Sequence, residues 1–313
     1  MGEREIVARL KQRFPHVGDD AAVLGEEVVT NDMLIENVDF TRAVPLALIA
    51  RKSLAVNLSD LAAMGATPTY ALVAVGAPEW VDLDAFFDAL ADAARAERIE
   101  IVGGDLSRAE QLIISITAMG RASRPLLRGG AKRGDRVYLS RPIGGSATGL
   151  HLLQQGWSVD GDPPPGPRQY SYVQREFAAS CIRRHVDPAA EVELGMTLAR
   201  IAEVSACIDL SDGLSTDLAH LCDASNVGAD IERERIPMLP DLLGSGTSLG
   251  IRAQDVVLHG GEEYALLFTS SLRESEMSAR AGRPLYAIGR ISGERGVRLN
   301  GEPLAPGGYD HFA

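Results

Sequence analysis

The sequence is poor in the features that mark several large functional classes. Its three cysteines, Cys181, Cys207 and Cys222, are an odd number at spacings that suit neither a disulfide framework nor a metal-binding knuckle. None of the six histidines forms a spaced ligand pair, which argues against a zinc centre. No apolar run is long enough to span a bilayer, and no apolar segment that could serve as a signal peptide follows Met1-Gly2-Glu3-Arg4-Glu5. These absences predict a cytoplasmic protein that does not enter a membrane. Positive charge is also scarce. Lys and Arg number 31 against 43 Asp and Glu, and the formal net charge of −12 argues against duplex nucleic acid as a partner. A Walker loop and a kinase-type glycine loop are both missing, so a nucleotide would have to be held in another way.

What is present is an ordinary globular composition, 45% hydrophobic and 24% charged, over 313 residues. That length predicts two domains. The acidity remains compatible with a phosphorylated ligand, because divalent cations can sit between carboxylates and phosphates.

The stretch Asn57-Leu58-Ser59-Asp60-Leu61-Ala62-Ala63-Met64-Gly65 organises the rest. Leu46, Ile49, Ala50, Leu54, Leu58, Leu61 and Ala62 recur at helical spacing, predicting a helix with one buried face. Pro45 opens this helix, and Gly65 with Pro68 beyond it signals its stop. Asn57, Ser59 and Asp60 are mediocre helix formers. Asn57 and Asp60 share a helix face, either as a solvated polar stripe or as part of a site.

Acidic residues beside glycines recur at the ends of apolar runs, and this repetition points toward a metal–phosphate site. Gly18-Asp19-Asp20 precedes a short strand, and Thr30-Asn31-Asp32 reads as a polar triplet ending the strand that starts at Val28. A strand over Thr69 to Val75 ends in a turn at Gly76-Ala77-Pro78, and Leu83 to Arg98 is a second amphipathic helix with Phe87 as its simplest core aromatic. Glu100-Ile101-Val102 runs into the pair Gly103-Gly104 and Asp105, where backbone can approach a phosphate. The basic, glycine-rich connector from Arg121 to Gly134 reads as a solvated linker or, through an arginine, as a phosphate clamp. This places the domain boundary near 125/126, with a domain at 1–125 and another at 126–313. Gly161 to Pro167 reads as a surface loop of the second. In Ile208-Asp209-Leu210-Ser211-Asp212-Gly213-Leu214 a strand ends at a helix start, where Ser211 can cap and Asp212 can complement the dipole. Such a terminus also suits a phosphate with its metal. Gly260-Gly261-Glu262-Glu263-Tyr264 precedes a further strand.

Together these motifs, in this order and down to the terminal Gly308-Tyr309-Asp310-His311-Phe312, resemble the thiamine-monophosphate kinase family, within the ATP-binding group that includes aminoimidazole ribonucleotide synthetase. The resemblance covers nearly the whole chain. It implies a two-domain α/β fold of the aminoimidazole ribonucleotide synthetase type and a homodimer whose N-terminal sheets pair into a barrel. It also implies ATP as co-substrate, thiamine monophosphate as acceptor and several Mg2+ ions. By motif, Asp19, Thr30, Asn31, Asp32, Asp60, Asp105, Asp209 and Asp212 correspond to the metal set. Phe87, Gly104, Asp105, Arg128 and Ser211 correspond to ATP contacts, and Asp39, Glu262 and Tyr309 to substrate contacts. The family usually has His where Asp39 stands, Thr at Asn31, Thr at Leu106, Asp at Glu263 and Trp at Tyr309.

The implied reaction needs no general base. A phosphate monoester has a second pKa of about 6, so its oxygen is already anionic at neutral pH. What in-line transfer between two polyanions requires is charge neutralisation and alignment. Two alternatives share the same apparatus: an ATP-using synthetase or dehydratase that activates a carbonyl oxygen, and a catalytically idle nucleotide-binding paralogue.

Overall fold

The computed structural model describes residues 3–14, 17–309 and 311–312, so Asp310 of the terminal motif lies outside the described residues. After helix α1 (Glu3–Arg13) the chain builds a five-stranded sheet from β1 (Ala22–Leu24), β2 (Glu27–Ile35), β3 (Thr67–Ala77), β4 (Glu100–Arg108) and β5 (Ile113–Arg121), in the order β1-β2-β5-β3-β4. Helices α2 (Leu46–Ala63) and α3 (Leu83–Ala96) connect its strands. One face is packed. Val28, Thr30 and Leu34 of β2, Ala71, Val73 and Val75 of β3, and Ile114, Ile116 and Ala118 of β5 are all buried. The alternate residues, among them Asn31, Met33, Tyr70 and Leu72, are exposed on the other face, as the two-residue period of a strand requires.

The second sheet contains β6 (Arg136–Leu139), β7 (Val204–Asp209), β8 (Gly228–Ile231), β9 (Leu266–Ser270), β10 (Tyr286–Ser292), β11 (Gly296–Leu299) and β12 (Glu302–Pro303), ordered β12-β11-β8-β10-β6-β9-β7. Helices α4 (Gly145–Gln154), α5 (Tyr172–Val186), α6 (Val192–Arg200), α7 (Leu214–Ser225), α8 (Ala253–Leu258) and α9 (Glu274–Ala281) accompany it. Residues 161–167 form no regular element. The two sheets make a two-unit α/β architecture. Among the described residues, no helix is long and apolar enough to cross a membrane.

Helix α2 joins the two units. Twelve of its 18 residues are buried, so it is covered on more than the single face that its periodicity predicts. It lies against β2 and β5 on one side and against α6 and β7 on the other. Contact with α6 is close enough to exclude side chains, since a Cβ on Gly195 would fall 2.0 Å from the Ala62 carbonyl oxygen. Gly65 ends the helix at φ +65°, as its stop signal predicts.

Several local expectations are corrected. The triplet Thr30-Asn31-Asp32 does not end a strand, because β2 runs on to Ile35. Neighbouring elements hold it in place: Asn31 Nδ2 donates to Ser115 Oγ and Thr117 Oγ1, and the Asp32 N–H donates to Asn57 Oδ1 at 3.0 Å. The glycine pair is not a turn after a strand. Gly104 sits within β4, where a Cβ would meet the Val73 carbonyl oxygen of the neighbouring strand. Likewise β3 continues through Gly76 and Ala77 and includes Pro68, beside a register shift that accommodates its missing N–H. The connector is not a free linker. Arg124 donates to the carbonyls of Ala199, Ile201 and Val204, and the Cys207 N–H donates to the Leu127 carbonyl.

Candidate active site

A cavity of about 910 Å³ opens between the packed end of the first sheet and the strand ends of the second. At its centre Asp20, Asp60 and Asp209 bring one carboxylate oxygen each to within 4.8 Å of one another. Three elements supply them: the turn before β1, the helix α2 and the C-terminal end of β7. Thr30 Oγ1 donates to Asp60, and Ser59 Oγ donates to Asp209 Oδ2 at 2.5 Å. Asn57 ties α2 to β2 through the Asp32 N–H, while its own amide donates to the Ser53 carbonyl at 3.0 Å. The Asn57, Ser59, Asp60 trio is therefore not a solvated stripe, since Asn57 and Ser59 are fully buried.

The charges are poorly compensated. Burial pushes the Asp209 carboxyl up to about 8, with Asp20 adding repulsion. Burial and Asp39 push Asp32 up to about 6. Asp60 is raised by burial and then by Asp32, Asp209 and Asp20. Arg128 Nη2 donates to Asp20 Oδ1 at 2.6 Å, yet Asp20 Oδ2 and Asp209 Oδ1 are buried with no hydrogen-bond partner. Buried carboxylate oxygens normally find partners. Hard oxygen donors of this kind, orphaned and facing one another, fit a divalent cation such as Mg2+.

Next to this cluster, Asp217 Oδ2 accepts from the Gly213 N–H at 2.9 Å and the Asp212 N–H at 3.2 Å. Asp217 thus holds the turn into α7, and Ser211 does not cap that helix. At the other side of the cavity Glu262, at φ +58°, receives Lys52 Nζ at 2.7 Å and His185 Nδ1 at 3.0 Å. Burial opposes its charge, but Lys52 and His185 outweigh burial and hold the carboxyl at about 2. The C-terminal segment closes over the site through the Tyr309 N–H, which donates to the Asp212 carbonyl at 3.1 Å.

The family models for "AIR synthase related protein" match over residues 18–122 (N-terminal domain) and 132–301 (C-terminal domain). A thiamine-monophosphate kinase of Salmonella typhimurium is 35% identical over 338 aligned residues, covering 100% of this chain and 98% of that protein. The thiamine-monophosphate kinase of Aquifex aeolicus is 30% identical over 321, with the same coverage. The chain belongs to the thiamine-monophosphate kinase family. A solved structure described as AaThiL complexed with AMPPCP and TMP superimposes with a TM-score of 0.86 at 29% identity, covering 99% of this chain and 97% of that one.

The residues that motif order assigns to a thiamine-monophosphate kinase site divide into two groups here. Thr30, Asn31, Asp32, Asp39, Asp60, Arg128, Asp209, Ser211, Asp212, Glu262 and Tyr309 border the one cavity. Asp19 lies just outside it, accepting the Arg128 N–H at 2.7 Å. The side chain of Asn31 turns to the open face of the sheet. Asp39 spends Oδ2 on the Ile35 N–H at 2.7 Å. Arg128 is engaged by Asp20. Phe87, Gly104 and Asp105 do not line the cavity of their own chain: Phe87 packs edge-on against Phe86, and Gly104 and Asp105 are exposed on the edge strand β4.

Sequence reasoning missed Asp20, Lys52, His185, Asp217 and Tyr264. For Lys52 a signal existed, a lysine in an otherwise apolar helical repeat. Nothing in the pair Asp19-Asp20 says which of two adjacent carboxylates turns inward.

Proposed function

We propose that this protein transfers the γ-phosphoryl group of ATP to thiamine monophosphate, giving thiamine diphosphate by direct in-line displacement. The observation that carries the reading is the buried carboxylate cluster of Asp20, Asp60 and Asp209 with two orphaned oxygens, in a chain similar over its full length to thiamine-monophosphate kinases. Asp20, Asp32, Asp60, Asp209 and Asp212 are the residues that would hold Mg2+. Bound there, the ions would supply the positive charge that offsets repulsion between the two phosphorylated substrates. The chain's own groups fix those carboxylates: Thr30 orients Asp60, Ser59 orients Asp209, and Arg128 holds Asp20. Ser211 borders the cavity where β7 gives way to α7, a place suited to phosphate binding. Asp39, Glu262 and Tyr309 line the acceptor side. No general base is assigned, because the attacking phosphate oxygen is already ionised at neutral pH.

The working unit is a homodimer. A sheet with one open apolar face needs a partner, and a second copy would bring Phe87, Gly104 and Asp105 to the nucleotide that their own cavity does not offer them. The direct test incubates the protein with ATP, Mg2+ and thiamine monophosphate and separates the products. Thiamine diphosphate and ADP in equal amounts are expected. Release of inorganic phosphate without a diphosphate ester would point instead to the carbonyl-activating alternative.

A further inference from the structure

Glu262 faces the cavity, but both of its oxygens are already taken. Oε1 accepts from Lys52 Nζ at 2.7 Å and from the Tyr264 hydroxyl at 3.4 Å, and Oε2 lies 3.0 Å from His185 Nδ1. Lys52 is buried behind it, and its ammonium also lies 3.4 Å from the Asp39 carbonyl oxygen. With a donor on each oxygen, the carboxylate orients Lys52 and His185 as well as facing the cavity.

His185 is the partner that reaches the cavity. It belongs to the last turn of α5 and is almost fully buried, yet it lines the cavity. Its Nδ1 faces Glu262 and, at 3.2 Å, Ser146 Oγ. Nε2 has no hydrogen-bond partner among the described residues and is not among the buried unpartnered atoms, so its way is open. The other basic side chains bordering the cavity sit elsewhere: His220 lies with Asp212 and Asp217, and His311 packs edge-on against Tyr309. Arg128 is spent on Asp20, and Lys11 of α1 lies beside Gly18. Asp39 and Glu262, as carboxylates, can only accept hydrogen bonds.

We infer that His185 is a substrate-contacting, specificity-determining residue that presents Nε2–H to the phosphate of the acceptor, with Glu262 and Lys52 as the positioning residues behind it. This rests on the acceptor being the phosphate monoester proposed above. Glu262 fixes the ring by accepting Nδ1–H, and a proton carried on Nε2 is then placed to donate to a phosphate oxygen. The left-handed backbone at Glu262 (φ +58°) and Tyr264 (φ +49°) is the local strain that keeps the carboxylate turned toward α2 and α5.

The test compares binding of thiamine monophosphate and of unphosphorylated thiamine to the full-length protein, with Mg2+ and a non-hydrolysable ATP analogue present. In His185→Phe, affinity for thiamine monophosphate should fall by about tenfold or more, the scale of a lost hydrogen bond to a charged group. Affinity for thiamine should stay within about twofold. Glu262→Gln should move the same ratio in the same direction. His185→Gln, which keeps a donor, should recover part of it, and melting temperatures of all variants identify any that fail to fold. Equal loss for both ligands, or no loss for either, overturns the assignment. A wild-type protein that makes thiamine diphosphate while His185→Phe keeps its affinity removes this inference alone. A wild type that binds neither ligand removes the acceptor and the inference together.

Discussion

Asp60 and Asp209 stand under mutual repulsion, which makes each of them testable in two ways. Asp60→Asn keeps an acceptor for Thr30 and removes one charge from the cluster. Turnover should fall by ~10²–10³, as for loss of one group that stabilises transition-state charge. The melting temperature in EDTA should hold or rise, and near-normal turnover at saturating Mg2+ would take Asp60 out of the site. The pH dependence follows from the same repulsion. In the folded chain Asp209 is raised to about 8 from an ordinary value of 3.8, so between these limits the folded state binds more protons than the unfolded one. Stability of the metal-free protein therefore falls as pH rises through that window. Thermal unfolding in EDTA should give a lower midpoint at pH 8.5 than at pH 5.5, with the difference reduced by Asp209→Asn or by added Mg2+. A slope that Asp209→Asn leaves untouched would assign it to other groups. At this scale the acids that stand alone at the end of a strand, such as Asp209, were legible in the sequence. The choice between Asp19 and Asp20 was not, because it depends on how a turn rotates two neighbouring side chains.

The elements that deliver these residues are α2, β2 and β7, and the weak point among them is the crossing of α2 with α6. Gly195 allows the Ala62 carbonyl to approach so closely that a side chain has no room. Gly195→Val should destabilise the fold by ~1–3 kcal/mol, the usual range for overpacking. Turnover should fall as well, since α2 carries Lys52, Asn57, Ser59 and Asp60. Urea unfolding beside an activity assay checks both, and an unchanged midpoint would mean that the helices part without cost. The course of α2 and α3 was legible because apolar periodicity and the stop at Gly65 agree. Strand ends were read too early at Thr30 and at Gly103, because polar or glycine residues inside a strand normally weaken it. Here the neighbouring strand and α2 supply the compensation, and that information lies far away in sequence.

For the whole molecule the open face of the five-stranded sheet decides the most. Met33, Tyr70 and Leu72 on this face are 52%, 48% and 39% exposed. The registers place Asn31, Met33, Ser115, Thr117, Tyr70, Leu72 and Asp105 on this same face. An apolar sheet face of this kind in an acidic protein invites association, and self-pairing satisfies it with closed symmetry. The protein should sediment as a dimer at micromolar concentration without ligand. Leu72→Asp, at the centre of the face, should shift it to monomer while leaving the secondary structure intact. If Gly104 and Asp105 serve the nucleotide site of a second copy, that monomer should also lose turnover by at least about tenfold, although no residue lining its own cavity has changed. Mixing inactive Asp60→Asn chains with inactive Asp105→Asn chains then distinguishes the two arrangements. Sites built from two copies regain activity in the mixed dimer that combines the intact cavity of one chain with the intact Asp105 of the other. Sites built within one chain regain none, and a fully active monomer would remove the dimer from the mechanism.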